Sequence, residues 1–340
     1  MGWEPAVCLT LSCTAESHQP TLLLVPLLLR LPQSAAKPPL PSLAELMETP
    51  LIIQGINSLL GGLDSAGKST EIQVIVMYIG QVSKDILKWP RPLSPPVVKL
   101  EMRTNAEYGM PSTHAMAATA ISFSFFIATM NQYKLGLAAA FVFSTLVCLS
   151  RLYTGMHTVL DVIGGALISA VLLVLLYPAW DTIDHLLLTS PFCPLFSIVV
   201  PLVLCYNYPK LDYYSPTRGD TTTILGAAAG ATVGFWLNNQ YAASAHTGTG
   251  VQPGLPLASS TMVFVLARFF TGILVVLLTR WLMKSVVLGV LGYRYQFPMG
   301  DLQARRRLEV EVPYKFVTYS CVGFTATVLV PLLHQLLGLM

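Results

Sequence analysis

The stretch VIGGALISAVLLVLLYPAW, Val162–Trp180, contains no Asp, Glu, Lys or Arg, and its reading decides the fold. A helix needs about 20 mostly apolar residues to cross the hydrocarbon core of a bilayer. Once inside, its backbone polar groups must be satisfied by the helix itself. Working outward, the same absence of charge recurs over Ala115–Gln132, Leu135–Ser150, Leu186–Tyr208, Thr221–Ala267 and Phe316–Met340. Only 11% of the 340 residues are charged and 54% are apolar, whereas a soluble domain is about 25% charged. Mean hydropathy is +0.61. The pattern predicts an all-α, polytopic transmembrane helix bundle with roughly 7 to 9 membrane helices.

Other classes fall away on the same grounds. The net charge of +3 is small and the basic residues lie between apolar runs rather than along one face, which argues against a nucleic-acid partner. The cysteines show no metal-ligand spacing, and several sit inside apolar runs where a thiol behaves as a small hydrophobe, so neither a disulfide framework nor a metal site is expected. Residues 1–70 are expected to form an atypical, poorly ordered segment. Its apolar run TLLLVPLLLRLP, Thr21–Pro32, is short for a span, carries Pro26 and lacks a basic leader.

That segment ends in GGLDSAGKST, Gly61–Thr70, a literal match to the phosphate-cradling pattern G-x-x-x-x-G-K-[ST]. Such a loop works only between a buried strand and a helix of an α/β sheet. Here the chain continues into membrane helices, with no Asn-Lys-x-Asp and no suitably placed Asp-x-x-Gly downstream, so no nucleotide partner is expected.

The first four spans are predicted over Glu71–Leu87, Ala115–Met130, Leu135–Ser150 and Thr158–Tyr177. Each crossing reverses sides, so the end of the first, the start of the second, the end of the third and the start of the fourth fall on one membrane face. The polar residues sit at those four places: Lys84 and Arg91, Ser112 and His114, Arg151, His157 and Asp161. Ionisable residues at such depth are costly and mark functional sites more often than chance. Further spans are predicted near Pro191–Tyr206, Thr222–Asn239, Met262–Leu282 and Phe316–Leu337, with Met283–Tyr293 as a short or re-entrant piece.

The chemistry of that face follows from its residue types. His157 and Asp161 are spaced i, i+4, which on a helix places them on one face; the carboxylate then holds the imidazole Nδ1 proton and leaves Nε2 as nucleophile or base. Ser112 stands at a helix N-terminus, where free amides and the helix dipole favour an anion, although a plain N-cap needs no more than that. With Lys84, Arg91 and Arg151, the face collects three cations suited to a phosphate dianion, and His114 is placed to act as acid. No carboxylate cluster suited to Mg²⁺ lies near, so turnover without metal or other cofactor is expected.

KDILKWPRP (Lys84–Pro92), PSTH (Pro111–His114) and SRLYTGMHTVLD (Ser150–Asp161) resemble, in order and spacing, the three signatures of the type 2 phosphatidic acid phosphatase and haloperoxidase superfamily: Lys-x6-Arg-Pro, Pro-Ser-Gly-His and Ser-Arg-x5-His-x3-Asp. Thr113 replaces the usual Gly, a feature of one branch, the sphingosine-1-phosphate phosphatases. YIGQVSKDILKWPRPLSPPVVKLE, VCLSRLYTGMHTVLDVIGG, DYYSPTRGDTTTILG and RRRLEVEVPYKFVTY are also similar to that branch. The resemblance implies that Lys84, Arg91, Ser112, Thr113 and Arg151 bind phosphate, His157 is the nucleophile, His114 the general acid and Asp161 the partner of His157. It implies a multi-pass endoplasmic-reticulum enzyme with a lumenal active site, hydrolysing sphingosine 1-phosphate and dihydrosphingosine 1-phosphate. Residues 71–180 would carry the catalytic core and 181–340 further helices of the same domain.

Two expectations pull against this picture. Residues 1–70 do not resemble the branch's N-terminus, where another span belongs, so a catalytically impaired lipid-phosphate binder is the alternative. The positive-inside rule assigns Arg305, Arg306 and Arg307 to the cytosol, and applied to Lys84–Arg103 it gives the cytosol again, against the lumenal site implied by the family.

Overall fold

The structure, a computed structural model, describes residues 71–93, 97, 107–129, 135–244, 259–298 and 301–339. The expectations for residues 1–70, including the phosphate-loop match, lie outside the described residues. Among those described, every regular element is helical. Helix α1 covers residues 71–87, followed by α2 (Thr113–Thr129), α3 (Gly136–Tyr153), α4 (Val159–Leu176), α5 (Trp180–Thr189), α6 (Cys193–Tyr206), α7 (Pro216–Ser244), α8 (Ser259–Tyr295), the short α9 (Leu302–Arg305), α10 (Leu308–Phe324) and α11 (Val330–Leu336).

Among the described residues four stretches are long and apolar enough to cross a membrane: Gly136–Tyr153, Val159–Thr189, Val263–Tyr295 and Leu308–Leu336. Thr113–Ile127 and Cys193–Tyr206 are shorter apolar helices. Large apolar side chains such as Phe141, Leu167, Val174, Phe270 and Trp281 stand exposed on their outer faces. In water such a surface would drive aggregation; against lipid it costs nothing, so the protein is a multi-pass membrane protein.

Helix α1 is the element that both halves of the bundle share. Ile72 and Val76 are buried with Met116 and Ala120 of α2 and with Leu173 and Trp180. On its other side, Val74 and Tyr78 pack against a cluster made by Cys205, Leu225, Ala229, Val312 and Phe316. Helices α7 and α10 meet along a seam of small residues. Gly226, Gly230 and Gly234 recur every fourth residue, and a Cβ on Gly226 would stand 2.8 Å from the Phe316 carbonyl oxygen. Ser320 Oγ donates to the Gly226 carbonyl at 3.0 Å, a bond that only this close approach permits.

The predicted spans match the helices closely except at two places. Met283–Tyr293 is not a separate or re-entrant piece; it continues α8, whose 37 residues run unbroken from Ser259 to Tyr295. Within that helix Arg280 lies over the Tyr319 ring of α10, 5.8 Å from its centroid, and that contact lets a cation sit within an apolar span. The last span is locally widened by a π-helical turn over Thr325–Leu329. Pro331 follows it in α11 and has no amide to give the preceding turn, which accounts for the slack.

The start of α7 lies against the end of α1, because Thr217 Oγ1 donates to Asp85 at 2.6 Å. Arg218, one residue further, binds the Glu311 carboxylate and also donates to the Arg306 carbonyl at 3.0 Å. Arg305–Arg307 therefore stand at the same end of the bundle as Lys84. This corrects the sequence reading: a cytosolic arginine run and a lumenal Lys84 face exclude one another.

Candidate active site

Three local structures build the site. Helix α1 stops at Lys88, whose φ of +51° reverses the chain while its amide still reaches the Lys84 carbonyl at 3.2 Å. That reversal carries Arg91 back under the helix end. There its Nε donates to the Glu107 carbonyl at 3.0 Å and its Nη1 to the Met156 carbonyl at 3.1 Å. One guanidinium thus joins the loop before α2 to the loop between α3 and α4.

The second structure is the start of α2. Ser112 is fully buried, its carbonyl accepts from the Met116 amide at 3.0 Å, and its own amide donates to the Asp161 carbonyl at 3.0 Å. Helix α4 comes this near because residue 165 is Gly; a Cβ there would stand 2.7 Å from the Ser112 carbonyl oxygen. Thr113, also buried, is the first residue of α2 and His114 the second.

The third structure is the start of α4, and here the sequence reading needs correction. His157 and Asp161 do not share a helix face, because α4 begins at Val159 with Thr158 as its N-cap. Thr158 and Asp161 close a capping box instead: Asp161 Oδ2 accepts the Thr158 amide at 2.7 Å, and Thr158 Oγ1 accepts the Asp161 amide at 3.2 Å. His157, just ahead of the cap, has Nδ1 3.7 Å from Asp161 Oδ2. That separation is too long for a hydrogen bond, and it is an ion pair only when the imidazole carries a second proton.

Lys84, Arg91, Ser112, Thr113, His114, Arg151, His157 and Asp161 all belong to these three structures or to the α3 end that adjoins them. Arg151 lies in the last turn of α3, its Nη1 3.8 Å from Met156 Sδ. Burial is the largest force on His157, and the positive charges of Arg91, Lys84 and His114 add to it. Together they push its pKa down to about 2, against a smaller opposing effect from a backbone hydrogen bond with Gly109. The imidazole is therefore neutral across the physiological range. Ser112 Oγ, Arg151 Nε and His157 Nδ1 are buried without a hydrogen-bond partner among the described residues. Buried polar atoms left so cost stability, and a charged ligand with several oxygens is the kind of group that satisfies them together.

Sequence reasoning missed Glu107. Its Oε2 lies 2.7 Å from Lys84 Nζ and 3.1 Å from Arg91 Nη2. It also missed Tyr108 and Tyr213, whose rings meet edge to face at 6.1 Å and join the loop before α2 to the one before α7. These residues sit in loops without periodicity, and only the fold pairs them.

Beside these charges, α2, α3 and α4 form an open-sided apolar trough of about 850 Å³. Leu152, Val159 and Val162 line one end, next in sequence to Arg151, His157 and Asp161, and Ile127, Phe141 and Tyr177 line the other. The trough follows most of the length of α4, about 27 Å for its 18 residues. A polar pair, Thr119 Oγ1 and Ser144 Oγ at 3.0 Å, ties α2 to α3 in its wall. Among the described residues no three His, Cys, Asp or Glu side chains gather as a metal-binding group.

An all-helical membrane fold with a basic, histidine-bearing cleft at one end is the architecture of the PAP2 superfamily, which the chain matches over residues 70–184. It is 59% identical over 275 residues to sphingosine-1-phosphate phosphatase 2 of Homo sapiens, covering 79% of this chain and 69% of that one. The Mus musculus sphingosine-1-phosphate phosphatase 2 is 58% identical over 276 residues, 79% of this chain and 78% of the relative. Sphingosine-1-phosphate phosphatase 1 of Rattus norvegicus is 42% identical over 281 residues, 79% and 64% of the two chains. The chain belongs to the sphingosine-1-phosphate phosphatase family and is a phosphoric monoester hydrolase of the membrane. No solved structure gives a significant match.

Proposed function

We propose that the protein hydrolyses the phosphate monoester of sphingoid-base 1-phosphates, sphingosine 1-phosphate and its dihydro form, through a phosphohistidine and without a metal. The observation that carries this reading is a neutral, buried His157 beside Lys84, Arg91 and His114, near one end of an apolar trough. The names of the relatives support the same substrate class. His157, through Nε2, attacks phosphorus as the P–O bond to the lipid breaks, and His114 gives its proton to the departing alkoxide. Lys84, Arg91, Arg151, Ser112 Oγ and the Thr113 amide at the start of α2 take up the charge on the three remaining oxygens. Water, losing its proton to His114, then cleaves the N–P bond and returns free His157 with inorganic phosphate.

Asp161 has a double task in this reading. Its Oδ2 fixes the helix start through Thr158, and its charge stabilises the positive imidazole that forms as the N–P bond grows. Residues 71–180 supply the chemistry, and 181–340 complete the same domain. The reading includes an endoplasmic-reticulum location with the site in the lumen. Arg306 lies over the Tyr214 ring at 4.6 Å and its carbonyl binds Arg218, so this cluster has structural work on that face and need not report insertion charge.

The test is phosphate release from sphingosine 1-phosphate by the purified full chain in EDTA. Steady release, with His157→Ala and His114→Ala inactive and acid-labile phosphate trapped on the wild-type protein, is the expected result. Binding without turnover by the wild type would replace this reading with that of a catalytically impaired lipid-phosphate binder.

A further inference from the structure

Lys84 and Arg91 do not wait for phosphate with their charges unbalanced. Both reach a single oxygen, Glu107 Oε2, at 2.7 and 3.1 Å, and their side chains are only 2% and 6% exposed against 16% for Glu107. Arg91 has no need of that carboxylate for its orientation, because the Glu107 and Met156 backbone carbonyls already hold Nε and Nη1. What the carboxylate supplies is charge. Two buried cations beside His114 and His157 repel one another, and an anion among them removes a large cost.

A phosphate dianion needs those same cations. It cannot share them with Glu107 at the present distances without setting like charges against each other in a poorly solvated cleft. We infer that Glu107 is an internal counter-anion that neutralises Lys84 and Arg91 between turnovers and gives them up to substrate phosphate, which makes it the residue that keeps product phosphate weakly bound. The inference rests on the phosphatase reading above. Its chemical sense is that hydrolysis leaves inorganic phosphate in a cradle of cations, and a tethered carboxylate returning to Lys84 and Arg91 helps expel it. Glu107 forms no bond to substrate; it acts through the two cations it holds.

Glu107→Gln tests this, since the amide keeps the shape and the backbone carbonyl contact while losing the charge. The measurement is the inhibition constant of inorganic phosphate against sphingosine 1-phosphate turnover by the full chain in detergent, together with the rise in melting temperature that inorganic phosphate produces. In Glu107→Gln the constant is expected to fall on the order of tenfold, and the thermal shift to grow. A carboxylate that merely positions Lys84 and Arg91 gives the opposite result, a constant that rises along with a lower kcat. Either a rise or no change overturns the inference. Should the glutamine variant fail to fold, Glu107→Asp keeps the charge but withdraws it by one methylene, and the same constant is expected to fall by a smaller factor, with no fall overturning the inference. If wild-type protein neither turns over nor is stabilised by phosphate, the phosphatase reading fails and takes this inference with it. If the wild type turns over and no variant moves the constant, the inference alone fails.

Discussion

The phenol of Tyr208 donates to the carboxylate of Asp85 at 2.9 Å, across 123 residues of chain. Asp85 directly follows Lys84, so this bond and the one from Thr217 hang the second half of the bundle on the end of the helix that presents Lys84 to the cleft. Tyr208→Phe is expected to cost about 1 kcal/mol of stability. Asp85→Ala, which removes the acceptor shared by the Tyr208 and Thr217 hydroxyls but leaves them the Gln81 carbonyl and Ser215 Oγ, should cost about 1 to 3 kcal/mol. Thermal unfolding in detergent measures both. The kcat should fall further in Asp85→Ala than in Tyr208→Phe although neither residue touches substrate.

The buried His157 gives the protein a pH dependence of stability with a definite sign. Its pKa is depressed from 6.5 to about 2 on folding, so between those values the unfolded chain binds the extra proton and the folded one does not. Stability is then fully present above about 6.5 and declines as the pH falls toward the folded value. His157→Gln, which cannot take up that proton, should flatten the part of the melting-temperature profile between pH 7 and 5. An unchanged slope would mean that His157 is not held neutral by its surroundings.

Gly165 sets how near α4 comes to the Ser112 turn. Gly165→Val would drive a side chain against the Ser112 carbonyl oxygen, 2.7 Å from the position of a Cβ, and is expected to cost about 1 to 3 kcal/mol. Because the displaced turn carries Ser112 and Thr113, KM for substrate should rise as well. A variant with wild-type melting and KM would show that the two segments can part freely.

If the trough between α2, α3 and α4 takes the alkyl chain, filling it discriminates between substrates. Ala166→Phe and Ala170→Phe narrow its middle, and displacing about two methylenes from apolar contact should raise KM for a long-chain sphingoid phosphate about tenfold. Hydrolysis of a short, water-soluble phosphate monoester should be unaffected. Equal losses on both substrates would place the chain elsewhere.

The shared end of α1, α7 and α10 makes a prediction about topology that holds whichever way the protein is inserted. Single cysteines at Lys88 and Gln303 should react with a membrane-impermeant thiol reagent from the same side of sealed vesicles. A cysteine at His185, in α5 beyond the far end of α4, should react from the other. Labelling from the lumenal side at Lys88 and Gln303 would support a lumenal site; opposite sides for those two would overturn the fold.

Most of the bundle was legible because charge-free runs leave a membrane segment few alternatives, and alternating crossings then fix which helix ends meet. That reasoning gathered Lys84, Ser112, Arg151 and His157 without any knowledge of contacts. It failed where side-chain partners decide. Spacing placed His157 near Asp161 but on a shared helix face, whereas Asp161 turns back over a capped helix start and stands 3.7 Å from His157 Nδ1. Glu107 gave no signal, because a lone carboxylate in a polar loop has meaning only once Lys84 and Arg91 are seen around it. The continuity of α8 was hidden by its length, since the span read over Met262–Leu282 already has the roughly 20 residues that one crossing needs.

Helix α8 has a further consequence. A straight rod of 37 residues measures about 55 Å, while the hydrocarbon slab is about 30 Å thick. It must lean steeply, project well beyond the headgroups, or both. Lipids along its flank are then asked to match an oblique or overlong wall rather than an upright one, and the helix that carries that mismatch touches α10 through Arg280 and Tyr319.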